Sequence, residues 1–278
     1  MVFALGAVFP DTAPMTDETQ GPEAEAKPKK TFREEVVETV QTVVYALMIA
    51  FVLRVVLFEP FTIPSASMEP GLLVGDYIIA TKWNYGWSRH SIPFSPPVLK
   101  GRVLEMGAGP QRGDVVVFKL PRDTSQTYVK RLIGLPGDRV QVKGGVVSVN
   151  GKPIVRTPAG DAVDPDPSPA SHGLTVAQFR ETRPDGGSYI TFDRGPAEMD
   201  DTEVYNVPEG HYFMMGDNRD NSQDSRWPRE YGVGYVPAEN LVGKVRLVLV
   251  SWKGGASLFN PITWVTRFDP SRMFRPVN

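Results

Sequence analysis

Hydrophobic and polar positions fall into three regimes along this chain. From Asp11 to Thr31 the sequence is rich in Pro, Glu, Thr and Lys and almost free of large apolar residues, so residues 1–33 are expected to form a disordered tail. The apolar patch before it, Met1 to Phe9, has no basic flank and is stopped by Pro10, which makes it a poor signal peptide. Val36 to Phe58 then reads VVETVQTVVYALMIAFVLRVVLF. As a helix it spans roughly 34 Å, enough for a hydrocarbon core of ~30 Å. Its apolar residues surround the helix instead of forming one stripe. Of the polar interruptions Glu38, Gln41 and Arg54, the two charges lie near the ends, where they can snorkel to the interface. This pattern predicts a transmembrane helix over 34–58. Lys27, Lys29, Lys30 and Arg33 precede it and no Lys or Arg occurs between Glu59 and Lys82, so the N-terminus belongs in the cytoplasm.

The third regime is strands joined by turns. Asp114 to Leu120, Tyr128 to Ile133, Arg139 to Lys143, Val146 to Asn150, His211 to Met215 and Leu241 to Trp252 are rich in Val, Ile, Tyr and Phe and punctuated by Gly, Pro and Asn. Gly144-Gly145 can supply the positive φ angles of a two-residue hairpin turn, and Asn150-Gly151 offers a second. Pro158 to His172, crowded with Pro, Asp and Ser, predicts an exposed loop. A main β domain over 59–149 and 208–253, interrupted by a smaller insertion over 150–207, accounts for this pattern. The C-terminal tail, 254–278, mixes Trp264, Phe268 and Phe274 with Arg267, Arg272 and Arg275, which suits either an anionic membrane surface or packing on its own domain.

Composition narrows the chemistry. A formal net charge of −2 and the absence of a basic, aromatic-interleaved stretch give no reason to bind nucleic acid. There is no cysteine, which excludes a disulfide framework, a thiolate nucleophile and cysteine-ligated zinc. Only His90, His172 and His211 are available as imidazoles, too few for a metal cluster and poor provision for a Ser-His-Asp triad.

A serine with another kind of base is the alternative. Pro64 biases Ile63 to an extended conformation, and continued extension would project Ile63, Ser65 and Ser67 to one face. Ser67 then attacks a carbonyl while the Ser65 hydroxyl and the Ser67 backbone N–H donate to the developing oxyanion. In Tyr128 to Ile133, alternation puts Lys130 on the face of Tyr128 and Leu132. Burial of that face would lower a lysine pKa from ~10.4 toward about 8, at a cost of roughly 3 kcal/mol, whereas Arg131 cannot lose its proton. The polar stretch Gly216, Asp217, Asn218, Arg219, Asp220, Asn221, Ser222, Asp224 and Arg226 suits a rigid hydrogen-bonded turn network. It fails as a calcium loop, because Arg219 stands third from Asp217, and a start at Asp220 gives no glycine sixth and no acid twelfth.

The segments PFTIPSASMEPGLLVGD, TYVKRLIGLPGD and GHYFMMGDNRDNSQDSRWP resemble, in order, the sequence blocks of type I signal peptidases, and the resemblance covers most of Val36 to Trp252. It implies a mainly β fold, a coiled antiparallel catalytic sheet with a smaller inserted β region, preceded by one transmembrane helix. It also implies Ser67 as nucleophile, Lys130 as general base, Ser65 as side-chain donor of the oxyanion hole, Ser222 as the hydroxyl that orients the lysine, and Asp224 with Arg226 as a supporting pair. Gly216, Asp217 and Asn218 belong to the same supporting motif. Phe61, Ile63, Met68, Tyr128 and Val129 match positions that line shallow pockets for small side chains, hence Ala-x-Ala before the cut. No metal or organic cofactor is implied, and His211 takes no catalytic part. The expected partners are signal-peptide-bearing preproteins and membrane lipid, at the outer face of the bacterial cytoplasmic membrane. Two other readings are a self-cleaving repressor-type Ser/Lys protease, which would carry a DNA-binding domain where this chain has an anchor, and a non-enzymatic membrane-tethered β adaptor.

Overall fold

A computed structural model describes residues 31–92, 95, 101–103, 108–171, 173–183, 185–254 and 260–277. Most of the expected N-terminal tail, with Lys27, Lys29 and Lys30, lies outside the described residues, as does His172. Helix α1 (Phe32–Val56) has 25 residues, none of them buried. At about 37 Å it is long enough, and apolar enough, to cross a membrane. Thr31 opens it with a capping box, its Oγ1 accepting from Glu34 N and its own N–H donating to Glu34 Oε2. The chain divides into two compact units: one ends at Leu47 and is helical where described, and the other begins at Met48 and contains every strand found among the described residues.

The helix stops short of Phe58, which opens β1 (Phe58–Thr62). Pro60 pushes Glu59 to an extended conformation, and β2 (Asp76–Thr81) captures the segment in an antiparallel register from Phe58↔Thr81 to Thr62↔Tyr77. The main sheet continues through β3 (Val115–Leu120), β4 (Asp123–Gly134), β10 (His211–Met215) and β11 (Leu241–Ser251), in the order β1-β2-β11-β3-β4-β10, every pairing antiparallel. Bulges recur along β11, between Leu241 and Gly243, Val245 and Leu247, and Val248 and Val250. Each adds twist, so the sheet coils.

Both faces of this sheet are covered. Val115 and Val117 of β3 pack with Ile63, Met68 and Val245 on one side, while Val116, Phe118 and Leu120 pack with Leu132, Met214 and Leu241 on the other. Beside it, β5 (Arg139–Lys143) and β6 (Val146–Val149) form a hairpin whose turn is Gly144-Gly145, with φ of 52° and 72°. Asn150-Gly151 makes the next turn, with φ of 54° and 76°. Both match the sequence expectation for positive-φ hairpin turns.

The stretch expected as an exposed loop is corrected in part. Pro158 to Val163 belongs to β7 (Arg156–Val163), the edge of a three-stranded sheet completed by β8 (Thr175–Thr182) and β9 (Ser188–Asp193). Pro158 is tolerated because the register shifts between Pro158 and Gly160 on an edge strand. At the other end of the chain, Arg275–Pro276 pairs with β11, and Trp252 gathers Trp264 and Phe268 around its ring at 6.3 and 5.8 Å.

Candidate active site

The chain runs extended through Ile63 to Ser65 and then turns. Ser65 is extended, with φ −133° and ψ 154°, but Ala66–Met68 forms a single 3-10 turn, which corrects the expectation of a continued strand. The turn is imposed from below: Ile63 and Met68 are buried in the apolar cluster under the sheet, and Asn218 Nδ2 and N donate to Ala66 O and Ser67 O. The two hydroxyls still share one side, Ser65 Oγ lying 3.5 Å from Ser67 Oγ.

Lys130 comes from β4, where Val116↔Lys130 pairing with β3 fixes its backbone. Its side chain is 3% exposed, and Nζ donates to Ser67 Oγ at 2.5 Å. Burial brings its pKa down to about 8, against the pull of the Asp224 and Asp217 charges, with Arg226 adding to the depression. A fraction of the amine is therefore unprotonated near neutral pH and able to accept a proton from the hydroxyl it touches. His90 and His211 do not line this site. The imidazole of His90 instead faces Ser95, and that of His211 the carbonyl of Glu209.

The stretch from Gly216 to Arg226 forms the floor. Asp224 accepts from Gly216 N and pairs through both oxygens with Arg226, at 2.9 Å each. Burial opposes its ionisation, yet the Arg226 guanidinium outweighs this and holds the carboxyl below the usual range. Asp217 takes two hydrogen bonds from Arg131, at 2.7 and 2.6 Å. Gly216 is required by close approach: a Cβ there would collide with Ser222 Oγ and with the carbonyl oxygen of Ser67. Ser222 is buried and lines the same pocket as Ser65, Ser67, Tyr128 and Lys130, but its Oγ makes no hydrogen bond.

A cleft of about 400 Å³ opens beside the two serines. Phe61, Ile63, Met68, Tyr128 and Val129, each expected there from the sequence, line it together with Thr62, Pro64, Gln126 and Thr127. Apart from Lys130 its walls are uncharged.

Three contributors carry no local sequence signal. Glu181 of β8 accepts from Arg219 Nη1 and Nη2 at 2.6 Å each, and the centre of the Tyr189 ring of β9 lies 3.8 Å from the Arg131 guanidinium. Glu69, directly after Met68, is fully buried; burial first, then the charges of Asp164 and Asp166, push its carboxyl up to about 8. All three are long-range partnerships, invisible until the fold brings the segments together.

The family described as signal peptidase, peptidase S26, matches residues 36–252. The signal peptidase I of Rickettsia typhi is 39% identical over 249 residues, 83% of this chain and 90% of that protein. That of Rickettsia prowazekii is 38% identical over 249 residues, again 83% and 90% of the two chains. A crystal structure of a signal peptidase I from Enterococcus faecalis matches at 28% identity over 49% of this chain and 95% of that one, with a TM-score of 0.28. On the family match and the identity to these relatives, the chain belongs to the signal peptidase family, peptidase S26, and is an endopeptidase of the serine type.

Proposed function

We propose that Ser67 and Lys130 form a nucleophile and base with which this enzyme removes signal peptides from exported preproteins, cutting after small residues in Ala-x-Ala. The observation that carries this is the 2.5 Å contact between a buried lysine amine and a serine hydroxyl, with the lysine pKa brought down to about 8. Neutral Lys130 takes the hydroxyl proton as Ser67 Oγ attacks the carbonyl carbon. Ser65 Oγ–H and the Ser67 N–H receive the charge that develops on the carbonyl oxygen. The C–N bond then breaks, and the Lys130 ammonium returns that proton to the leaving amine. Water, deprotonated by the freed amine, cleaves the acyl-enzyme ester, and the proton passes back to Ser67.

Specificity is read from the cleft. Its apolar lining by Phe61, Ile63, Met68, Tyr128 and Val129 suits small uncharged side chains. Ser222 orients the lysine, with Gly216, Asp217, Asn218, Asp224 and Arg226 as the supporting floor. The apolar helix α1 supports a single-pass anchor, with the N-terminus in the cytoplasm, the β domain on the outer face and lipid around the helix. Anchoring enzyme and substrate in one membrane raises their effective concentration.

The test is cleavage in trans. The purified chain in detergent is incubated with a preprotein whose leader ends in Ala-x-Ala, and the new N-terminus is sequenced. Cutting directly after that motif, lost in Ser67→Ala and in Lys130→Arg, is the expected result; an active Lys130→Arg enzyme would refute the lysine as base.

A further inference from the structure

We propose that Lys82 and Trp87 clamp the last turn of α1 to the sheet, and that this clamp sets which peptide bond of a membrane-embedded substrate is cut. The inference rests on the reading of α1 as a membrane anchor and of Ser67 as nucleophile. Lys82 is completely buried, and each of its three ammonium hydrogens has an acceptor: Arg54 O at 2.8 Å, Ser91 O at 2.6 Å and Glu59 Oε2 at 3.0 Å. Lysine is almost never buried without a specific partner, because its charge must be desolvated. Burial accordingly lowers its pKa, while Glu59 pulls it back up.

The position of that ammonium is where a helix end needs it. The last turn of a helix leaves carbonyls without partners and carries partial negative charge. Here Arg54 O is taken by Lys82 Nζ, Val56 O by Trp87 Nε1 at 3.1 Å, and Leu57 O by the backbone N–H of Lys82 at 3.0 Å. Arg54 Nη2 reaches Glu59 at 2.9 Å, so the same carboxylate bridges the helix and Lys82. One short stretch, 82–87, thus closes the helix.

The chain immediately after the helix makes the clamp consequential. Only Leu57 separates α1 from β1, and the same run of chain supplies Phe61 and Ile63 to the cleft before reaching Ser67. No flexible linker intervenes to let the cleft wander relative to the helix end. With the substrate's apolar segment held in the same membrane, the bond presented to Ser67 is fixed by this junction.

The experiment uses the full chain reconstituted in phospholipid vesicles with a preprotein carrying two Ala-x-Ala motifs about six residues apart, ~20 Å of extended chain. The ratio of the two new N-termini is read by mass spectrometry. Wild type favours one site; Lys82→Met and, separately, Trp87→Phe are expected to change the ratio by at least about threefold. Cleavage of a short soluble peptide in detergent stays within about twofold of wild type, which a general loss of structure would not allow. An unchanged ratio in both variants overturns the proposal. Trp87→Phe removes the indole N–H donor with part of the ring and keeps an aromatic side chain, so it decides the matter alone where Lys82→Met lowers the melting temperature. Ser67→Ala, as control, removes both products if the nucleophile is assigned correctly, whatever the fate of the clamp.

Discussion

Replacing Lys130 with methionine is expected to abolish cleavage and yet make the folded protein more stable at neutral pH. Methionine keeps an unbranched stem of the same length, with sulfur in place of Cδ, and loses the amine, so little packing is disturbed. Burial takes the Lys130 pKa from 10.5 to about 8. At ~1.4 kcal/mol per pH unit, that gap corresponds to roughly 3 kcal/mol of folding free energy. Below pH 8 the amine is protonated in both the folded and the unfolded chain, and the full penalty applies. Between about 8 and 10.5 the folded chain has released its proton while the unfolded chain still holds it, so the unfolded state binds more protons and wild-type stability climbs with pH. Above 10.5 the penalty is gone. Glu69 contributes the opposite slope: its carboxyl is raised from 4.5 to about 8, so its contribution, full below 4.5, is lost as pH rises through that interval. It is present in both proteins and cancels in their difference. Urea unfolding in nonionic detergent, followed by tryptophan fluorescence from pH 6 to 10.5, measures that difference. The variant should lead by up to roughly 3 kcal/mol at pH 7 and converge with wild type at the alkaline end. A variant no more stable than wild type at pH 7, or a lead that persists undiminished above pH 10, would refute the buried-ammonium argument.

Wild-type kcat should rise roughly tenfold between pH 7 and a plateau above about 9, as a base with a pKa of about 8 is freed; a flat profile on a soluble peptide would contradict this. Gly216→Ala should cost more than about 2 kcal/mol and most activity, because the new methyl collides with Ser222 and with the carbonyl of Ser67, and a melting curve at wild-type temperature would show the contact is dispensable. Asp217→Ala should cost about 3–5 kcal/mol by removing the carboxylate from a guanidinium only 2% exposed, whereas Arg131→Met with Asp217→Leu should recover most of the loss in the same denaturation assay.

How much of the fold and site is legible in the sequence depends on the range of the interactions involved. Strands with a strong local signal, Arg139–Lys143 by alternation and His211–Met215 by an apolar run between Gly210 and Gly216, have the limits that these patterns predict. Strands β1 and β2 escape such a reading, since FEPFT carries a mid-strand proline and runs on from the apolar helix, DYIIAT carries little alternation, and both are defined by pairing with each other and, for β2, with β11. The Pro and Gly of β7 speak locally for a loop, and only the edge position and bulge reconcile them with a strand. At the site, the segments around Ser67 and Lys130 are conspicuous because a hydroxyl pair and an isolated lysine stand out against apolar neighbours. The turn at Ala66–Met68 is not, being enforced by Asn218 from a distant segment. Glu181 is silent for the same reason: its value lies entirely in Arg219.

The three-stranded sheet β7–β9 is tied to the rest of the protein by charge as well as by apolar surface. It supplies the carboxylate for Arg219 and the ring that covers Arg131, both almost completely buried. Excising residues 156–193 to obtain a smaller enzyme would leave the buried Arg219 guanidinium without its carboxylate and uncover Arg131, which keeps only Asp217 and Gly113 O of these partners. A minimal version of this peptidase therefore demands a rebuilt foundation, with Arg219 exchanged for an apolar residue in the same step and a new cover supplied over Arg131.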